Sequence, residues 1–104
     1  MVYLKTGDSL VLQVVRKDNE GNPQTGDAAF LFSQIRDECD LLIADFTIVE
    51  TAILGTYEFT VPFSETVSFP LGTLYFDIEY NDGILVNSSE TVLLLVSKDV
   101  TNYE

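Results

Sequence analysis

The sequence predicts an all-β fold, a sandwich of antiparallel sheets with a small β-barrel as the alternative. Three observations lead there. Polar and apolar residues alternate over several short runs, which is the period-2 mark of half-buried strands. Polar segments rich in Gly, Pro, Asn and Asp separate those runs at strand-sized intervals. Helical periodicity is poor throughout, while β-branched and aromatic residues are abundant; only Glu38 to Ala44 offers a faint helical alternative.

The clearest element lies near the C-terminus. Thr73 to Tyr80 sets Leu74, Phe76, Ile78 and Tyr80 on one side and Thr73, Tyr75, Asp77 and Glu79 on the other. Asn81-Asp82-Gly83 supplies residues that tolerate positive φ, so a tight hairpin connection is expected there. The chain is expected to return through Thr91 to Val96. Upstream, Ser9 to Lys17 places Leu10, Leu12 and Val14 on one face, and the polar stretch Asp18 to Asp27 reads as a loop. Ala28 to Arg36 has an ambiguous facing. Phe30 and Phe32 share one side and Leu31 and Ile35 the other, as a strand buried on both sides or a bulge would give.

Asp37 to Asp40 reads as a turn. Leu41 to Val49 carries Leu42, Ala44, Phe46 and Ile48 in one row, and Tyr57, Phe59 and Val61 alternate with Thr56, Glu58 and Thr60 after Gly55. Pro62 and Pro70 bracket a segment expected at an edge or corner, because proline cannot donate to a ladder. About seven strands in a single domain spanning residues 1–104 match an immunoglobulin-like sandwich in general architecture. The disulfide and core tryptophan of antibody domains are absent.

Composition narrows the chemistry. The chain of 104 residues has no histidine and one cysteine, Cys39. The commonest general base and metal ligand is therefore missing, and no intrachain disulfide or thiolate cage can form. Cys39 as a nucleophile would need a basic neighbour to favour its thiolate, and Asp37, Glu38 and Asp40 surround it in sequence. Those three carboxylates could attract a hard cation. They lack the alternating ligands and central glycine of a calcium loop, so they read as a charged turn, as do Asn19, Glu20, Asn22 and Asp27. Asp77 and Glu79 share a strand face as a catalytic acid and base would, but exposed strands often carry such pairs. No enzymatic activity, metal or cofactor is expected. Asn87-Ser88-Ser89 fits a glycosylation acceptor, which matters only in a secretory pathway.

The net charge is −12, and no cation falls between Arg36 and Lys98. Such a surface repels phosphate backbones and anionic membranes, so neither nucleic acid nor membrane is expected as a partner. The N-terminus lacks the pattern of a signal peptide, and the longest apolar runs fall far short of the roughly 20 residues that span a bilayer. A soluble protein made in a cytoplasm is expected.

One resemblance adds to this reading. Asp8-Ser9-Leu10, Gly26 ahead of Phe32-Ser33-Gln34-Ile35-Arg36, Gly55-Thr56-Tyr57-Glu58-Phe59, Leu71-Gly72-Thr73-Leu74-Tyr75-Phe76-Asp77-Ile78 and Val96-Ser97-Lys98-Asp99-Val100-Thr101 occur in an order that resembles a tailed-bacteriophage domain. It is similar to the immunoglobulin-like N-terminal domain of phage baseplate upper proteins and related small virion proteins. The motifs mainly mark turns and strand edges. The resemblance implies a non-enzymatic virion component, made in the host cytoplasm, that binds capsid, neck or tail subunits. It would serve as a decoration, a collar or fibre attachment, or a tail or baseplate adaptor, in many copies or as a homo-oligomer. In multidomain relatives a fibre or receptor-binding portion follows the last motif, whereas here Asn102-Tyr103-Glu104 follow it. A freestanding copy packing on its neighbours is therefore expected.

The residues expected to touch partners are Val2, Tyr3 and Leu4, outward-facing Tyr75, and the tail residues Thr101, Asn102 and Tyr103. Exposed strand edges could add sheet augmentation. The alternative reading is a recognition module for host-surface carbohydrate or protein, weakened by the absence of tryptophan as an aromatic platform. A third is an acidic decoy for a nucleic-acid enzyme.

Overall fold

Leu10, Leu12 and Val14 line one side of strand β2 (Leu10–Val15), and Tyr57, Phe59 and Val61 line one side of β7 (Thr56–Val61). Antiparallel pairing of these strands makes one apolar wall, and β6 (Thr47–Glu50) extends it on the far side of β7. The structure, a computed structural model, describes residues 1–98. Against this three-stranded sheet it sets a five-stranded one. In spatial order its strands are β1 (Val2–Lys5), β11 (Val92–Ser97), β8 (Gly72–Phe76), β4 (Gln34–Arg36) and β5 (Leu42–Asp45). Leu4, Ile35, Leu74, Phe76, Leu94 and Val96 point inward from it and meet the first wall. Both sheets are open, so the fold is a sandwich and not a barrel.

The B-E-D and C′-C-F-G order of an immunoglobulin-like domain is reproduced, with β1 added beside the last strand. That addition is parallel, Val2 opposite Leu94 through Lys5 opposite Ser97, so the five-stranded sheet is mixed where a purely antiparallel one was expected. It also gives Val2, Tyr3 and Leu4 a place in a strand that their sequence did not announce.

A third, small sheet continues the larger one. Strands β3 (Leu31–Phe32), β9 (Glu79–Asn81) and β10 (Val86–Ser88) lie in the order β10-β9-β3. The chain from Leu31 to Arg36 runs antiparallel to Tyr75–Tyr80, with Leu31 opposite Tyr80 and Arg36 opposite Tyr75, interrupted at Ser33. Buried Ser33 holds that junction: its Oγ donates to the Asp77 carbonyl at 2.6 Å, and its carbonyl accepts from the Phe46 N–H at 3.0 Å. Eleven segments thus amount to eight strands, because three pairs of segments are continuations, against about seven expected.

This settles the facing of the ambiguous run. Leu31, Ser33 and Ile35 are buried, whereas Phe30 and Phe32 face solvent, Phe32 at 50% exposure. Ala28–Phe30 is a single 3-10 turn, not strand. The C-terminal hairpin also differs from expectation. Its outer part pairs β9 with β10 across Asp82–Leu85, a wider connection than the tight turn expected at Asn81-Asp82-Gly83. Asp82 is the reason: its Oδ1 accepts from the N–H groups of Ile84 and Leu85 at 2.9 and 2.7 Å. That side chain caps donors a tighter turn would have paired across the strands.

Phe46 carries the chain from one sheet to the other between β5 and β6. Its ring lies 5.8 Å from Phe59 and 5.2 Å from Phe76, one in each sheet, in tilted and edge-on geometry. The proline-bracketed segment crosses back as expected of a corner, but as one helical turn, α1 (Phe63–Thr66). Fully buried Thr66 donates its Oγ1 to the Asp8 carbonyl at 2.7 Å, fixing that corner to the start of β2.

Tyr57 fixes the long polar loop in the same way. Its ring is fully buried, and its hydroxyl accepts from the Asp27 N–H at 3.1 Å and donates to the Gln24 carbonyl at 2.8 Å. Tyr57→Phe strips both partners at once and is expected to cost about 1–3 kcal/mol, because the orphaned loop groups are partly buried against the tyrosine ring. Urea unfolding at matched m-value measures it, and a change below a few tenths of a kcal/mol would show that water replaces the hydroxyl.

Candidate functional site

Alternation forces every second residue of the five-stranded sheet away from the core, and there the outward row is unusually apolar. Tyr3 on β1 aligns with Leu95, which aligns with Thr73; one step along, Leu93 aligns with Tyr75, which aligns with Arg36. Tyr3 is 73% exposed, and Leu93 is also exposed. Tyr75 and Leu95 are partly covered by their neighbours. Two of the expected contact residues, Tyr3 and Tyr75, are thereby brought onto one face. Val2 and Leu4 are not: Leu4 is buried and Val2 packs against the core, since both point inward from β1. Leu4 as a side-chain contact is corrected accordingly. Thr101, Asn102 and Tyr103 lie outside the described residues.

Leu93, Leu95 and Phe32 belong to this face and were not singled out from the sequence. A signal existed for the first two. In a run of leucines such as Leu93-Leu94-Leu95, a strand can bury only alternate members, so some must face out. Two outward leucines beside two outward tyrosines make a patch of the kind that marks protein contacts.

At its β4 end the face deepens into an open groove of about 640 Å³. Phe32, Gln34 and Tyr75 lie in it, and Asp37, Glu38, Asp40, Asp77 and Glu79 surround them. Arg36 is the one cation among the described residues of the groove. Its guanidinium donates to Gln34 Oε1 at 2.7 Å and to the Asp40 carbonyl at 3.0 Å, and it approaches the Asp40 carboxylate at 3.8 Å. In so exposed a setting that ion pair contributes little, and the groove remains strongly negative.

The acidic turn beside it is built by its own hydrogen bonds. Asp37 Oδ1 accepts from the N–H groups of Cys39 and Leu41, both at 2.9 Å, and Asp40 takes a positive φ of 64°. Asp37 is thus occupied in shaping the turn, and Cys39 is exposed at its tip. Among the described residues no three Asp, Glu or Cys side chains converge as a cation would require. No described helix is long and apolar enough to cross a membrane.

A second opening lies at the side of the sandwich, between the free margins of β1 and β2. This cleft of about 580 Å³ is lined by Val2, Leu4, Leu10 and Leu12 with the flanking Tyr3 and Asp8. A third cluster is structural. Arg16 pairs with Asp27 and stacks 4.6 Å above the Tyr80 ring, whose edge meets Phe30. Tyr80 donates to Asp82 Oδ2 at 3.2 Å.

Two carboxylates have ionisation linked to their turns. Backbone N–H donation, from Leu85 first and Ile84 next, holds Asp82 below its ordinary value, and donation led by Asn22 does the same for Asp18. Tyr80 is raised, first by partial desolvation and then by its bond to Asp82. The sign for the two aspartates is fixed. A folded pKa below the unfolded one gives a contribution complete above the unfolded value near 3.8 and lost as pH falls through the folded value. Carboxyl carbon shifts followed by NMR from neutral to acid pH are expected to give midpoints for Asp82 and Asp18 below that value. Ordinary midpoints would mean that the two turns do not hold in solution.

No protein-family model matches the chain, and no curated protein matches it in sequence.

Proposed function

We propose that the chain is a non-enzymatic structural subunit of a tailed-phage virion, held to neighbouring virion subunits by the outer face of its five-stranded sheet. The observation that carries this reading is the outward row of Tyr3, Leu95, Leu93 and Tyr75, where a solvated strand would be polar. Tyrosine brings large contact area at low entropic cost, and leucine adds apolar surface. The resemblance to small virion domains supplies the setting. Repetition on a symmetric shell or tail lets modest individual contacts hold together. The acidic groove at the margin of the face favours a neighbour that presents basic residues.

Mass spectrometry of purified particles from the phage that encodes the chain tests this. A stoichiometric presence is expected, and trace amounts or none would remove the proposal. The groove also supports the second reading, since a tyrosine ring flanked by carboxylates and Gln34 is a surface that carbohydrate can use. Glycan-array binding that is lost in Tyr75→Ala would move the function there.

A further inference from the structure

The open margins of the two sheets are not equivalent. Natural sheets protect exposed edges with charged residues or brevity, because an unpaired row of N–H and C=O groups recruits other strands. Strand β1 carries Lys5, β5 carries Asp45, β6 carries Glu50, and β10 is only three residues long. Strand β2, six residues reading Leu-Val-Leu-Gln-Val-Val, has neither protection. Among the described residues it pairs with β7 on one side and ends the sheet on the other. Its outward residues Val11 and Val15 are 51% and 57% exposed, and its inward Leu10 and Leu12 border the apolar cleft beside β1.

We propose that β2 is a homotypic assembly edge, at which a second copy of this chain adds its own β2 antiparallel, making one six-stranded sheet across a two-fold axis. The sequence of the strand is what selects a second copy. Opposite residues in an antiparallel pair share a face, so only registers that match outward with outward and inward with inward keep apolar groups covered. Centring on Gln13 does this. Val11 meets the second copy's Val15, Gln13 meets Gln13 so that two amides can bond, and Leu12 meets Val14 over the mouth of the cleft. A C2 interface demands such self-complementarity. Charge points the same way: each copy carries −12 and repels the other, and β2 is a long margin where no like charges meet. The inference goes beyond the virion reading, and its test on the isolated protein does not depend on that reading.

Sedimentation velocity of the isolated chain over a concentration series is expected to show a monomer–dimer equilibrium that tightens as salt rises, because screening weakens the repulsion. The variant V11K/V15K places lysines on exposed positions of a folded monomer. It is expected to shift the dimer midpoint at least about tenfold toward higher concentration, with an unchanged circular dichroism spectrum. For the geometry, Q13C in a C39S background is expected to oxidise to a disulfide dimer, since opposite residues on paired strands lie at about 4.5–5.5 Å between Cα atoms. T47C in the same background, on the opposite margin of the sheet, is expected to form no disulfide under the same oxidation, while still dimerising reversibly through β2. A chain that is monomeric at every concentration and salt overturns the proposal. So does a dimer indifferent to V11K/V15K, or one that crosslinks through Thr47→Cys and not through Gln13→Cys.

Discussion

Phe59→Ala is expected to destabilise the fold by about 3–5 kcal/mol, the range for truncating a fully buried phenylalanine. Phe59 lies at the centre of β7, the middle strand of its sheet, opposite Leu12 on one side and Ile48 on the other. It has no solvent exposure and packs against Phe46, the residue that passes between the sheets. Its removal leaves a cavity between two walls that backbone ladders hold apart, so collapse around it is limited. A domain of this size has a total stability of roughly 5–15 kcal/mol, so the variant sits near the edge of folding. Equilibrium unfolding in urea gives the value, and Phe63→Ala, at the exposed corner, is expected to change stability by about 0.5 kcal/mol or less. Equal losses at both positions would mean that the core is not where the two sheets meet.

Gly55→Ala is the second large effect, at about 2–5 kcal/mol. Two costs combine. The φ of Gly55 is +73°, a conformation that costs a residue with Cβ about 1–2 kcal/mol. The added carbon would fall 2.7 Å from Pro23 Cβ and 2.8 Å from the Arg16 carbonyl oxygen. Neither neighbour can yield easily, because Arg16 N–H donates to the Gly55 carbonyl at 2.7 Å and the Arg16 carbonyl accepts from Gln24 at 2.9 Å. Overpacking of this sort adds about 1–3 kcal/mol. Gly83 separates the two costs: its φ is +87° and a Cβ there meets nothing within 4 Å. Gly83→Ala is therefore expected to lose only the conformational part, about 1–2 kcal/mol. Matched thermal and urea unfolding of both variants checks this, and equal losses would remove the steric argument at Gly55.

Much of the architecture was legible because strand periodicity survives burial. Strands β2 and β7, the polar loop between Asp18 and Asp27 and the proline-bracketed corner lie where alternation and turn chemistry place them. The passage of the chain at Phe46 was not legible. Ala44, Phe46 and Ile48 form one unbroken row, and two sheets facing one core require the same inward row on either side of a crossing. Alternation therefore cannot reveal where a strand changes sheets. Strand β1 was hidden for a different reason, since its parallel partner lies some ninety positions downstream and only four residues pair. The outward face was partly legible. Tyr75 announced itself by standing in a polar row, whereas Leu93 and Leu95 were masked by the inward leucine between them. Phe32 was masked by the break at Ser33, which interrupts the ladder without disturbing composition.

In the function we propose, the outward row of Tyr3, Leu95, Leu93 and Tyr75 is the surface by which the protein is held in a particle. Incorporation of the double variant Tyr3→Asp/Tyr75→Asp measures that directly, in phage particles produced beside wild type and quantified by peptide mass spectrometry. Both side chains point away from the core, so the purified variant should melt within a few degrees of wild type. It should nevertheless be depleted from particles by at least about tenfold, because two charges would have to be desolvated at a contact surface. A folded variant that enters particles at the wild-type level would contradict the account.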